Sequence, residues 1–524
     1  MNQNPNKISA SPTLPKKETN KRFDIATILS EGPLPVPGVR SENTSLDEKL
    51  RKAYFWITNS AIINPFYDIE YNTTPPVSFT IGDSKSKITL PTDQSYSSFI
   101  LLPLLSLMVK GKCLLVGGPG RGKTASAILM GVIAGYPIRE IKRAIQHGQP
   151  QMTITDLLGN PLPSDLMQAK SMDEIKIAWR KWLGMRIKII DEYNRIPTRT
   201  QSALLTIMGD NYAEIYDQIF ECPDAAWYLT ANDDAGGGTY QVIEALRDRI
   251  DIVVKAPHFN TRFIGELITR VEEGYKPESM VPTEIIFSEK ELNELTNQIR
   301  LVVFPESLRR RMEFFAAQFE FLEYAGEQIE YKTKDTAKLS AVNFSEIVAR
   351  ETGKDKTKDL GNQTKNGLSV RAIFTIINYA KALAYFRGLT EVTLDDLSHI
   401  LPFVLHDKLV QNSDSVFFEE ENYKVYRSDR IGWIRKLFQL SLSEYNRIGL
   451  DQNDKVSELS GKFEKGLEGL SAKETKNRIV EIEKEIDTIS KQRKLYGHVY
   501  DDLLKLKYLH QRYTNYLKWA ESNV

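Results

Sequence analysis

The chain has 524 residues, with 69 Lys+Arg against 69 Asp+Glu and two cysteines. That length allows several domains and a substantial core, while zero net charge gives no global electrostatic footprint for nucleic acid. Two cysteines exclude a disulfide framework, and the longest apolar run, Phe99 to Val109, is too short to cross a membrane. The expected setting is a reducing, cytoplasmic one, with no nucleic-acid partner and no membrane insertion.

Residues 1–45 are rich in Asn, Ser, Pro and Lys, and read as a disordered tail with too little apolar surface to offset the entropy of ordering. Residues 46–92 read as an N-terminal extension. Leu50, Ala53, Tyr54 and Ile57 share one helical face, and the alternation of Val77, Phe79, Ile81, Ile88 and Leu90 predicts a small β-hairpin. Asp93-Gln94-Ser95-Tyr96-Ser97 fits the DxSxS signature of a metal-binding adhesion site. Such a site needs its own doubly wound domain, so Asp93 or Ser95 reads better as the N-cap of a helix into Phe99–Met108.

Residues 93–256 alternate helices with short apolar strands, predicting an α/β domain around a parallel sheet. Its strand candidates are Cys113–Val116, Ile187–Ile190, Trp227–Thr230 and Ile250–Val254. After the first comes Gly117-Gly118-Pro119-Gly120-Arg121-Gly122-Lys123-Thr124, and then a helical stretch from Ala125. Strand–GxxxxGK[ST]–helix is the context of a P-loop. Its glycines let backbone N–H groups turn toward phosphate, Lys123 supplies a positive charge, and the Thr124 hydroxyl is a hard ligand for Mg²⁺. ATP and Mg²⁺ are therefore the expected cofactors.

The second strand ends in Asp191-Glu192. Beside the P-loop strand, Asp191 would reach Mg²⁺ and Glu192 would polarise the attacking water as general base. The third strand ends at Asn232, placed to hold that water and touch the γ-phosphate. Arg247 and Arg249 precede the fourth strand, where an arginine reaches a neighbour's site more easily than its own. Arg249 is the first choice for such a finger and Arg247 the second. Trp179 and Trp182, three apart, suggest the apolar side of a helix rather than a substrate-gripping loop.

Beyond Pro257 the strands stop. Residues 257–411 predict a helical lid, with helices over Pro305–Tyr324, Ser369–Gly388 and Thr393–Leu405 and a charged insertion near 326–367. Residues 412–524 predict a C-terminal helical region. Ile479, Ile482, Ile486 and Ile489 would face a second helix over Val499–Trp519 in a helical hairpin.

This ordered set resembles the MoxR family of AAA+ ATPases over about 94–411. The resemblance rests on Gly117–Thr124, Asp191-Glu192-Tyr193-Asn194-Arg195, Thr230-Ala231-Asn232, Glu244-Ala245-Leu246 and Asp248-Arg249, followed in the lid by Leu368-Ser369-Val370-Arg371-Ala372. It implies a ring, usually a hexamer, with ATP between subunits. It also implies a remodelling or chaperone-like ATPase acting on a client or on a partner with a von Willebrand factor A domain. Arg371 would match the family's lid arginine that senses the γ-phosphate in cis. Trp179–Gly184 stands where the family usually has a Gly-Pro-type turn, so the mode of substrate engagement departs from the pattern. The rival readings are a metal-chelatase motor subunit, a nucleic-acid-translocating NTPase and a nucleotide switch.

Overall fold

The computed structural model describes residues 45–82, 86–162, 175–232, 240, 242–340, 359–492 and 495–522. The tail expected over 1–45, apart from Ser45, and the loop at Asp233–Gly238 lie outside them. Helix α1 (Leu46–Trp56) continues into one π turn at Ile57–Ala61, and Leu50, Ala53, Tyr54 and Ile57 are buried. Its polar side reaches the lid, where Lys49 pairs with Glu291 at 2.6 Å and Arg51 donates to the Phe386 carbonyl at 3.2 Å.

Four short strands follow: β1 (Ile69–Glu70), β2 (Val77–Thr80), β3 (Lys87–Leu90) and β4 (Ser95–Tyr96). β2 and β3 form the expected antiparallel hairpin, while β1 pairs with β4. That second pairing overturns the expected helix cap. Ser95 is held in a ladder, so α2 (Ser98–Val109) starts later, at a Ser97 N-cap with no side-chain capping bond. Asp68 accepts instead from the Ser98 N–H at 2.8 Å and its hydroxyl at 2.7 Å. A carboxylate distant in sequence has taken the role expected of Asp93 or Ser95.

β5 (Lys112–Val116) leads into α3 (Lys123–Ile133), α4 (Ile138–Ala144) and β6 (Gln146–His147). Next come α5 (Ile154–Leu158), β7 (Gly159–Pro161), β8 (Ile177–Trp179) and β9 (Ile187–Asp191). Then follow α6 (Thr198–Asp210), the hairpin β10 (Tyr212–Ile215) and β11 (Gln218–Glu221), β12 (Ala226–Ala231), α7 (Glu244–Arg249) and β13 (Ile252–Lys255). The main sheet is parallel, in the order β13-β5-β12-β9-β6. Each of its faces packs into its own apolar cluster, which is why β5, β9 and β12 are near-continuous apolar runs. β6, two polar residues long, has no such run and escapes sequence reading. Trp179 and Trp182 share no helix. Trp179 lies in β8 against Phe220, whereas Trp182 is buried in a 3-10 turn and donates to the Leu157 carbonyl at 2.7 Å.

The lid begins with α8 (Ile264–Glu272), α9 (Glu289–Leu301) and α10 (Glu306–Ala317). The helix expected to run to Tyr324 stops at Ala317, after which Phe321 bridges to Thr333 across a turn. Residues 341–358 of the charged stretch lie outside the described residues. Within the rest of it, α11 (Lys334–Leu339) is anchored by Lys334, whose buried ammonium donates to the carbonyls of Gly361 and Thr364 at 2.7 and 2.8 Å. Helices α12 (Val370–Phe386) and α13 (Leu394–Leu405) complete the part anticipated for the lid.

The apolar core does not break at residue 411. Trp433, Ile434, Leu437 and Phe438 of α14 (Arg430–Ile448) join the core shared with α10, α12 and α13. Beyond it, α15 (Lys455–Glu464), α16 (Ala472–Ser490) and α17 (Gly497–Ser522) build a separate small core around Ile482, Ile489, Leu506, Leu509 and Tyr513. The α16–α17 pair is the anticipated helical hairpin. Arg310 ties this bundle to α10 through Asp454 and, at 3.5 Å, Asp502.

Candidate nucleotide site

Parallel pairing aligns the carboxyl ends of three strands: Ala231 lies beside Val116, and Leu229 beside Ile190. Loops leaving that edge of a parallel sheet converge on one crevice. Here they enclose a 310 Å³ cavity lined by Pro119, Gly120, Arg121, Gly122, Lys123, Thr124, Ala125, Asp191, Glu192, Thr230 and Asn232. Gly120 and Gly122 adopt φ of 72° and 76°, a left-handed backbone that glycine enters without a Cβ penalty. This conformation turns the loop back onto the N-terminus of α3. Gly117 and Gly118 stand behind the cavity, and their carbonyls accept from the Lys123 ammonium.

The polar side chains form one connected network. Lys123 Nζ donates to Asn232 Oδ1 at 2.9 Å, and Asn232 Nδ2 donates to Glu192 Oε1 at 2.7 Å. The Thr124 and Thr230 hydroxyls both donate to Asp191 Oδ1 at 2.7 Å. Glu192 has φ of 54°, left-handed for a residue with a side chain, and its N–H donates to Thr230 Oγ1 at 2.9 Å. Such a conformation costs on the order of 1 kcal/mol and persists only where its surroundings impose it. Arg195 holds the other Glu192 oxygen at 3.2 Å. The carboxylate is therefore aimed into the cavity from a fixed, strained turn.

Thr124 and Asp191 are adjacent hard-oxygen donors, the set that Mg²⁺ takes when phosphate and water supply its other ligands. Among the described residues no cluster of three or more His, Cys, Asp or Glu could hold a metal alone. Thr124 and Asp191 alone would leave most of a cation's coordination sphere to other ligands.

Several residues around this site carried no sequence signal. His147 Nδ1 lies 3.3 Å from Asp191 Oδ2, and Gly148 donates its N–H to the Asp191 carbonyl at 2.7 Å. A Cβ on Gly148 would stand 2.2 Å from the Glu192 carbonyl oxygen, so only glycine lets β6 meet that turn. A second, 510 Å³ cavity opens from Gly120–Gly122 and Ala125 and is walled by Ile62, Ile63, Pro257, Leu267, Val271 and Tyr275. It is chiefly apolar, and its walls come from stretches far apart in sequence: 61–64, Phe99, 120–125 and 257–277.

The arginines are elsewhere. Arg371, expected at the phosphate in cis, is absent from the walls of both cavities and pairs with Asp248 on α7. Ser369 donates to the same carboxylate at 3.1 Å, and Lys408 donates to the Asp248 carbonyl at 2.8 Å. The start of α12 is thus pinned to α7, which also carries Arg247 and Arg249. Arg249 lies over Gly209 of α6, half-buried, its Nε without a hydrogen-bond partner among the described residues. Arg247 has its Nε buried and lies near Asp407. Burial pushes the Asp407 carboxyl up, but His406 first, then Arg430 and Arg247, hold it below the usual carboxylate range.

Residues 112–252 match the ATPase family associated with various cellular activities (AAA), and residues 360–423 match the AAA lid domain. The chain is 25% identical over 314 residues to Chaperone MoxR1 of Mycobacterium tuberculosis, an alignment covering 60% of this chain and 71% of that protein. It is 22% identical over 320 residues to the uncharacterized protein YeaC of Bacillus subtilis, covering 60% of this chain and 83% of that one. A crystal structure of a proposed ATPase from Cytophaga hutchinsonii aligns with a TM-score of 0.43 at 20% identity, covering 64% of this chain and 89% of the other.

Proposed function

We propose that the chain, which is similar to the MoxR-type AAA+ ATPases, hydrolyses ATP in a ring and uses lid movement to remodel a protein partner. The observation that carries the proposal is the convergence of Lys123, Thr124, Asp191, Glu192 and Asn232 on one 310 Å³ cavity. The P-loop backbone would hold the triphosphate, and the adjoining apolar cavity would take the base and ribose. Lys123 exchanges its carbonyl contacts for phosphate oxygens. Thr124 and Asp191 hold Mg²⁺, which supplies charge neutralisation when bound.

Glu192 takes a proton from the attacking water, and Asn232, now bonded to Glu192, releases it once the γ-phosphate is bound. Arg249 and Arg371 serve the neighbouring subunit's nucleotide, because both stand on or against α7 and outside their own cavity. This replaces the cis role that the resemblance implied for Arg371. The hexameric ring, the client and a von Willebrand A-domain partner belong to the proposal. Among the described residues no helix is long and apolar enough to cross a membrane.

The test is Glu192→Gln, with nucleotide affinity, turnover and particle mass read together. Retained binding with at least a ~100-fold lower turnover is expected from loss of the general base. Unchanged turnover would remove Glu192 from the mechanism. A particle that stays monomeric with ATP bound would favour a nucleotide switch over a ring.

A further inference from the structure

Among the described residues two apolar faces are uncovered. In the β2–β3 hairpin, Val77 lies opposite Leu90 and Phe79 opposite Ile88, so these four and Ile81 share one side of the ribbon. All five are exposed, at 50–56%. The other side is polar, with Ser78 against Thr89 at 3.3 Å and Thr80 against Lys87. A lone two-stranded hairpin is marginal in water, so an amphipathic ribbon whose Val77, Phe79, Ile88 and Leu90 meet no neighbour among the described residues is an incomplete structure.

The second face is α8. Ile264, Leu267, Ile268 and Val271 follow the i, i+3, i+4, i+7 spacing of one helical stripe, and all four are exposed, Val271 at 72%. No residue of α8 is buried. Leu267 and Val271 also wall the apolar cavity, while Ile264 and Ile268 do not.

We infer that the apolar side of the β2–β3 hairpin in one subunit docks on the α8 stripe of the next subunit in a head-to-tail assembly. The inference rests on the proposed ring. Four ribbon residues span about 13 Å. The stripe from Ile264 to Val271 spans about 10 Å, so the two faces match in length. Charge matches too: Lys87 at the far end of the hairpin and Glu272 and Glu273 at the end of α8 are exposed, and none has an ion pair among the described residues. Two different, mutually complementary patches on one chain make a heterologous contact, the kind that closes into a ring. Each patch falls short of the ~800 Å² per partner of a standard interface, so the hairpin adds to a broader contact. Because Leu267 and Val271 belong to both cavity wall and stripe, the docked hairpin caps the nucleoside cavity and couples nucleotide retention to assembly.

The experiment uses full-length Glu192→Gln protein with ATP and Mg²⁺, with particle mass measured across concentration. Phe79→Asp and Ile268→Asp, each added to that background, should raise the concentration for half-assembly at least ~10-fold, as for a charge placed in an interface centre. Ser78→Asp, on the polar side of the same hairpin, should assemble like the parent and controls for folding. At concentrations between the half-assembly points of parent and variants, mixing the Phe79→Asp and Ile268→Asp proteins should enrich dimers over larger particles, since only one mixed contact retains an intact hairpin and an intact stripe. If the parent forms rings and either apolar variant assembles equally well, the docking inference is overturned while the ring stands. Equal disruption by Ser78→Asp also overturns it. If the parent itself never assembles, the ring reading fails first and the docking falls with it.

Discussion

The two cavities that meet at the P-loop differ in how they are made. The smaller is polar, and its side chains are tied into one hydrogen-bonded network from Lys123 through Asn232 to Glu192. The larger is chiefly apolar and is closed by Ile62, Pro257, Leu267 and Tyr275, which no local motif connects. Chemistry needs particular atoms at fixed separations, so the polar cavity uses residues at the ends of adjacent strands. Binding an aromatic base needs area and shape, which many residue combinations supply. The first cavity should therefore respond to single changes through turnover, and the second through affinity.

The largest effect expected is from Lys123→Ala, which removes the charge facing the phosphates. ATP binding should fall by at least ~100-fold and turnover to background, measured by nucleotide titration and phosphate release. Retained tight binding would mean that the apolar cavity alone holds the nucleotide, and the contrast between the two would collapse.

Next in size are the arginines. Arg249→Ala and Arg371→Ala should each lower turnover by up to ~1,000-fold with little change in affinity. Both act in trans on the reading above, so mixing either variant with Lys123→Ala subunits should restore activity. Random 1:1 assembly places a competent site beside a competent donor at roughly a quarter of the interfaces. A mixture of Arg371→Ala and Lys123→Ala that stays inactive would return Arg371 to its own nucleotide and require the Arg371–Asp248 pair to open.

These residues also mark how far the sequence could be read. Gly117–Thr124, Asp191-Glu192 and Asn232 were legible because each is a short motif at the end of an apolar strand, and a parallel sheet must bring such ends together. The same logic missed His147 and Gly148, since β6 is two polar residues with no periodicity to detect. Nor does any local motif announce that Arg371 pairs with Asp248, a contact between a lid helix and α7 across more than a hundred residues. The cap of α2 went to Asp68 for a similar reason: a long-range β1–β4 ladder outcompeted the local N-cap.

A change in the apolar cavity should be milder and of another kind. Tyr275→Ala removes a wall against which the base would lie but stands off the α8 stripe, and should weaken ATP affinity about 10-fold while leaving turnover at saturation near that of the wild type. A loss of turnover with unchanged affinity would mean that this wall helps position the phosphates, and the division of labour would be wrong.

The smallest effect lies behind the polar cavity, on β9. Lys188 is buried between Trp182 and Trp227, donating to the carbonyls of Leu183 and Met185 at 2.8 and 2.7 Å. Burial pushes its ammonium down to about 8 from the usual 10.5. The folded chain therefore releases this proton more readily than the unfolded chain. Below pH 8 both states hold it and the fold bears the full cost of the buried charge. Between about pH 8 and 10.5 the unfolded state binds more protons, so stability rises with pH across that window. From about pH 7.5 to 9.5 the gain should be at most about 2 kcal/mol. Urea unfolding followed by tryptophan fluorescence reports on it directly, because Trp182 and Trp227 flank the amine. Lys188→Met should flatten this part of the pH dependence while losing the carbonyl contacts that close the turn before β9. If the wild-type slope survives in Lys188→Met, another group titrates in that window and the strand carrying Asp191 does not depend on this buried charge.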